Sequence, residues 1–132
     1  ANLALALMAV EDRDASAARE PYAALQPLRG KIPNPALITT DRVLGLLAHT
    51  MGELDDATAH FEDALAFYRK TDSRPELAWT CCDYADILLR REGDGDREKA
   101  MSLLDESLKI SQELGMRPLM ERVLSRREIL KA

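Results

Sequence analysis

One segment of this chain is written twice. His60-Phe61-Glu62-Asp63-Ala64-Leu65-Ala66-Phe67 returns 43 positions later as Leu103-Leu104-Asp105-Glu106-Ser107-Leu108-Lys109-Ile110, acid over acid and large apolar over large apolar. Ala57 and Ala100, Arg74 and Arg117, and Pro75 and Pro118 share the same offset. A supersecondary unit of this size cannot bury its apolar face alone, so repeated units must stack on one another and share a core. With 132 residues the chain has room for one such domain, residues 1–132, and not for two enzymatic ones.

Each unit reads as a pair of helices. From Leu54, apolar residues fall at Ala57, Phe61, Ala64, Leu65 and Tyr68, the spacing of one helical face, while Asp55, Asp56, Glu62 and Asp63 take the other. A second helix opens at Ser73-Arg74-Pro75-Glu76: Ser73 is placed to cap, Pro75 falls in the first turn, and Glu76 completes a capping box. It continues through Trp79, Tyr84, Ala85, Leu88 and Leu89 until Gly93 to Asp96 break it, and Asp96 is placed to cap the helix that runs to Leu114 before Gly115. Upstream, Asn34-Pro35 opens a helix ending before Gly52, and Leu3 to Val10 with Ala15 to Leu28 make an earlier hairpin in which Pro21 is expected to kink the second arm. The expected organisation is all-α, about seven helices, as antiparallel hairpins over 2–28, 35–70 and 74–114 and a terminal helix over 117–130. Apolar residues at 46% with aromatics at only 5% suit packing by Ala and Leu between helices and not a β-sandwich.

Charge removes other classes. A net charge of −5 lacks the clustered cations that neutralise phosphates, and the one basic cluster, Arg122, Arg126 and Arg127, is followed at once by Glu128. Nucleic acid and anionic membrane surfaces are therefore not expected partners. The Ala/Leu-rich run Leu3 to Val10 is far shorter than a bilayer span, and without a basic n-region or an initiating Met it reads as the cut edge of a longer protein and not as a signal peptide. Cys81 and Cys82 are neighbours whose directions on a helix differ by about 100°, poorly placed to bridge each other, and read as reduced thiols of a cytoplasmic protein, Cys81 in the core.

No constellation for catalysis or cofactor binding emerges. Gly45 and Gly52 are not followed by the Lys-Ser or Lys-Thr of a phosphate loop, and His49 and His60 have no Cys or carboxylate at zinc-ligand spacing. Glu92-Gly93-Asp94-Gly95-Asp96 lacks the ligand spacing and terminal Glu of a calcium loop and reads as a solvated turn with a helix cap.

Leu44-Gly45, Ala48, Gly52, Ala57, Phe61 and Ala64-Leu65 resemble the tetratricopeptide pattern of small and large packing residues, without the aromatic usual at Ala48; Tyr84-Ala85, Ala100, Leu104 and Ser107-Leu108 form a weaker second copy. The resemblance implies hairpins stacked as a right-handed superhelix whose concave side takes a protein or peptide. Arg42 to Ala48, Gly52 to Leu65, Arg74-Pro75 and Asp83-Tyr84-Ala85 also resemble the C-terminal repeat region of bacterial signalling ATPases, proteins that join such repeats to an ATPase module and to a cyclase or LuxR-type DNA-binding domain. On that resemblance the concave-surface residues are Arg42, His49, Trp79, Asp86 and Arg90. Trp79, the only Trp, either anchors a peptide between arginines or packs between hairpins. The expected function is a non-catalytic interaction or regulatory module of a bacterial multi-domain signalling protein; the alternative is a structural spacer that pairs copies through apolar faces exposed on its terminal helices.

Overall fold

The computed structural model describes residues 2–28 and 40–131, with side chains described for 5–28 and 40–130. Seven α-helices occur among them: α1 (Asn2–Glu11), α2 (Ala15–Leu25), α3 (Thr40–Met51), α4 (Leu54–Lys70), α5 (Arg74–Arg91), α6 (Asp96–Leu114) and α7 (Arg117–Lys131). A short 3-10 turn, Gln26–Leu28, extends α2. The expected helix start at Asn34-Pro35 lies outside the described residues. Pro21 does not end α2, which remains α-helical to Leu25 with Pro21 buried. The described chain is all-α.

The chain divides into two compact units, 1–64 and 65–132, with the division inside α4. In the first unit α1, α2 and α3 pack on one another around Ala6, Ala9, Ala18, Leu25, Val43, Leu44 and Leu47. Gly45 lets α3 approach α4: a Cβ there would overlap the ring of Phe61, which is fully buried. Half-buried Tyr22 on α2 hydrogen-bonds buried His60 on α4 at 2.8 Å between Oη and Nε2, which gives that ring nitrogen a partner.

In the second unit α5 packs most extensively on α6, and α6 on α7. Between Leu77 and Leu88 every α5 residue is buried except Trp79, Asp83 and Asp86. The Ser107 hydroxyl of α6 donates to the Ala78 carbonyl of α5 at 2.7 Å, fully buried, at the position that Ala64 holds in the first copy of the repeat.

Four helices, α1, α3, α4 and α6, end alike. At Arg13, Gly52, Asp72 and Gly115 the backbone turns left-handed, with φ of 53°, 80°, 52° and 68°. In each case the next amide reaches back to a carbonyl five residues earlier: Asp14 to Ala9, Glu53 to Ala48, Ser73 to Tyr68 and Met116 to Ser111. This Schellman closure satisfies the last carbonyls of one helix and starts the next within a residue or two. Glycine removes the Cβ penalty at Gly52 and Gly115.

Two expected caps are corrected. Ser73 stands at the N-cap of α5 but makes no side-chain cap bond; its hydroxyl pairs with that of Thr71 at 2.8 Å. Asp96 begins α6 and does not cap it, because its carboxylate is held from the other direction. The Arg91 guanidinium grips both oxygens at 2.8 and 2.7 Å, and the Gly93 amide donates to one of them at 2.9 Å. Asp96 thus staples the α5–α6 turn. The Arg91 hydrogen bonds, opposed by burial, hold its carboxyl below the usual carboxylate range.

Candidate functional site

The repeat register gives each of three helices a matching line of side chains of its own. On α3 the line is Arg42, Leu46 and His49, half-buried among buried neighbours; on α5 it is Trp79, Asp83 and Asp86; on α7 it is Arg122, Arg126 and Ile129. Each triad has the i, i+4, i+7 spacing that puts three side chains on one stripe of a helix. Two of the expected site residues, Arg42 and His49, share the α3 line; Trp79 and Asp86 share the α5 line, which Arg90 extends by one further turn into solvent.

In the second unit the α5 and α7 lines meet. The Arg122 guanidinium sits over the Trp79 ring, 5.4 Å from its centroid, and lies 3.7 Å from the Asp83 carboxylate. Arg126 Nε donates to Asp86 Oδ1 at 2.8 Å. Arg127, on the other flank of α7, pairs with Asp105 of α6 at 3.3 Å. The basic cluster seen in the sequence is therefore largely matched by carboxylates of its own unit, which leaves little of it for phosphate. Asp83, Arg122 and Arg126 were not among the expected site residues, although the 43-residue offset carries Trp79 onto Arg122 and Asp83 onto Arg126.

The stripe offers a flat aromatic, two carboxylates and three guanidiniums in a row. Such a set supplies a desolvated ring and planar donors for a peptide backbone or acidic side chain. It contains no nucleophile with an adjacent base. The nearby thiols are inert by environment: burial pushes Cys82 up to about 12 and Cys81 higher still. Among the described residues no group of three or more His, Cys, Asp or Glu side chains could hold a metal ion. Nor is any described helix long and apolar enough to cross a membrane.

A second surface lies on α1 and α2. Leu5, Met8, Ala9, Ala17 and Pro21 floor a groove of about 300 Å³ whose rim carries Asp12, Asp14 and Glu20. Leu5 and Met8 are 59% and 58% exposed, so α1 is apolar on the side it turns outward as well as on the side it buries. On α7, Leu124 and Ile129 are exposed, yet Glu121, Ser125 and Glu128 stand where α5 buries Ala78, Cys82 and Ala85. Both terminal helices expose apolar side chains, but only α1 does so without polar dilution.

A family model described as tetratricopeptide repeat matches residues 36–113. Neither the curated proteins nor the solved structures compared with the chain gave a match.

Proposed function

Because this chain belongs to the tetratricopeptide-repeat family, we propose that it is a non-catalytic module that binds a protein or peptide on the face that α5 and α7 form in the second unit. The observation that supports this reading most is the stripe on α5: on a helix otherwise buried from Leu77 to Leu88, the residues left to solvent are an aromatic and two carboxylates, flanked by arginines of α7. The face is formed by Trp79, Asp86 and Arg90 with Arg122, and the α3 line with Arg42 and His49 is the corresponding surface of the other unit. The resemblance to repeat regions of bacterial signalling ATPases extends the proposal: the module serves a cytoplasmic multi-domain regulator, docking a neighbouring domain or a regulatory peptide.

A phage-displayed peptide library panned on the protein tests this. Recovered peptides should change the emission of Trp79, the chain's single Trp, on titration. Replacing Arg42, Trp79 and Arg90 together with Ala should weaken them by about 30-fold or more, the loss expected when a hot spot is removed. Peptides that bind the folded triple variant as well as the parent would overturn the proposal and favour the second reading, a spacer that works through the exposed face of α1.

A further inference from the structure

The two units do not share the chain's charge. Residues 1–64 hold ten Asp and Glu against five Lys and Arg, whereas residues 65–132 hold thirteen of each, so the net charge of −5 belongs to the first unit alone. A field of that sign draws cationic partners to this unit ahead of the other.

Within the first unit, the α1–α2 groove is where that charge meets an apolar surface. Leu5, Met8, Ala9 and Pro21 form its floor, and none of its eight lining side chains is a cation or a hydrogen-bond donor. Its polar groups are acceptors. Asp14 accepts from the Ala17 amide at 3.0 Å, while among the described residues Asp12 and Glu20 have no ion pair. The backbone adds another acceptor: Pro21 has no N–H to give the Ala17 carbonyl four residues earlier, and both residues line the groove. Arg13 and Arg19, the cations of segment 2–28, are exposed and do not line it.

We propose that this groove takes an Arg or Lys side chain from a basic segment of another protein, with its aliphatic stem along Leu5, Met8 and Pro21 and its charged head among Asp12, Glu20 and the Ala17 carbonyl. The match is one of kind as well as sign. Arg and Lys side chains donate and never accept, and they carry a long apolar stem behind the charge. A groove of about 300 Å³ with an apolar floor and an acceptor-only rim leaves an acidic side chain without a partner and repels it. Neither unit of this chain has a cationic excess to offer, and two copies of a chain of charge −5 repel each other, so the occupant is a different, basic protein. The site is separate from the α5–α7 face and is tested apart from it.

The probe is a capped peptide of alternating Ala and Arg with four Arg, followed by calorimetry at low salt, with Gln in place of Arg as the control. The Arg peptide should bind with a Kd below about 1 mM and weaken as salt screens the rim, and the Gln peptide should show no binding. Asp12→Asn with Glu20→Gln should weaken the Arg peptide about tenfold, the loss of two exposed ion pairs. Ala17→Leu, which fills the groove at unchanged charge, should weaken it as much. Glu53→Gln with Asp56→Asn removes the same charge from exposed positions at the start of α4 and should cost less than about threefold. Trp79→Ala should bind as the parent does, and circular dichroism checks that every variant folds. No binding of the Arg peptide, an equal loss in the Glu53 and Asp56 variant, full binding by Ala17→Leu, or loss with Trp79→Ala would each overturn the proposal, the last by moving the site to the α5 face. Self-association of the parent that the rim variant abolishes would overturn it too, by giving the groove to a second copy. Library peptides that the rim variant no longer binds belong to this groove, and the α5 face is judged on the rest.

Discussion

The two copies of the repeat pack their first helix on their second by different means. In α3 and α4 the fit is steric: α3 gives up a side chain at Gly45, and the ring of Phe61 occupies the space. In α5 and α6 the matching positions hold Cys82 and Leu104, with no glycine, and polar bonds join the hairpin instead: Ser107 to the Ala78 carbonyl, Asp96 to Arg91 and Gly93, Arg74 to Glu113, and Arg69 of α4 to Glu106. The close fit at Gly45 and Phe61 is thus steric, and the contacts of Asp96, Ser107 and Glu113 in the second unit are polar. The steric contact should answer mainly to side-chain volume, and the carboxylate contacts of the second unit to acid.

The largest effects should come from the steric side. Phe61→Ala should cost about 3–5 kcal/mol, the usual range for deleting a buried ring. Gly45→Ala should cost about 1–3 kcal/mol through overpacking, despite the better helix propensity of Ala. In urea denaturation the double variant should be more stable than the sum of the two losses, because the new methyl group then has room. Strict additivity would show that Gly45 and Phe61 do not constrain each other.

Acid should separate the units next. Asp96 and Glu113 are both held below the ordinary carboxylate range, chiefly by hydrogen bonds from Arg91 and Arg74. The unfolded chain therefore takes up protons before the folded one does as pH falls. Their contribution is complete above the ordinary carboxylate pKa of about 4 and is lost as pH drops through the lowered folded values. Hydrogen exchange in α5 reports the opening of that unit, and hydrogen exchange in α3 reports the other. Opening should rise in α5 first below about pH 4, and Asp96→Asn, which leaves the Arg91 guanidinium without its carboxylate, should cost about 1–3 kcal/mol at neutral pH and flatten that acid response. Equal acid response in both units would break the comparison.

The smallest effect should come from Arg69→Ala. Its bond to Glu106 is short at 2.7 Å, but the Arg69 side chain is half exposed, so the loss should stay below about 1 kcal/mol and shrink further in salt. A larger loss would mean that the polar side of the comparison extends to the surface.

Much of this arrangement was legible from residue order. Periodicity together with cap, Pro and Gly signals pointed to about seven helices, the number found among the described residues, and Gly52 and Gly115 marked helix ends because glycine is the cheap residue in a left-handed turn. Arg13 and Asp72 make the same turn without that signal and could not have been picked out by type. The caps assigned to Ser73 and Asp96 failed for different reasons: Ser73 stands at the N-cap but its hydroxyl pairs with Thr71, whereas Asp96 is already the first residue of α6 and its carboxylate is held by Arg91. In the candidate site, the shared line of Trp79 and Asp86 on α5 was legible from their spacing. The α7 half of that site was missed because Arg122 and Arg126 read as a weak basic cluster until their register onto Trp79 and Asp83 was applied.

The near-complete burial of α5 bears on how such a module could change its partners over time. From Leu77 to Leu88, most substitutions disturb packing before they alter recognition, whereas Trp79, Asp83 and Asp86 are open to change at little cost to the fold. If the proposed function holds, recognition through this helix is spelled with three letters, each answered by an arginine of α7. A paralogue could acquire a new ligand by rewriting those letters alone, and a drifting α7 would change the reading without touching them.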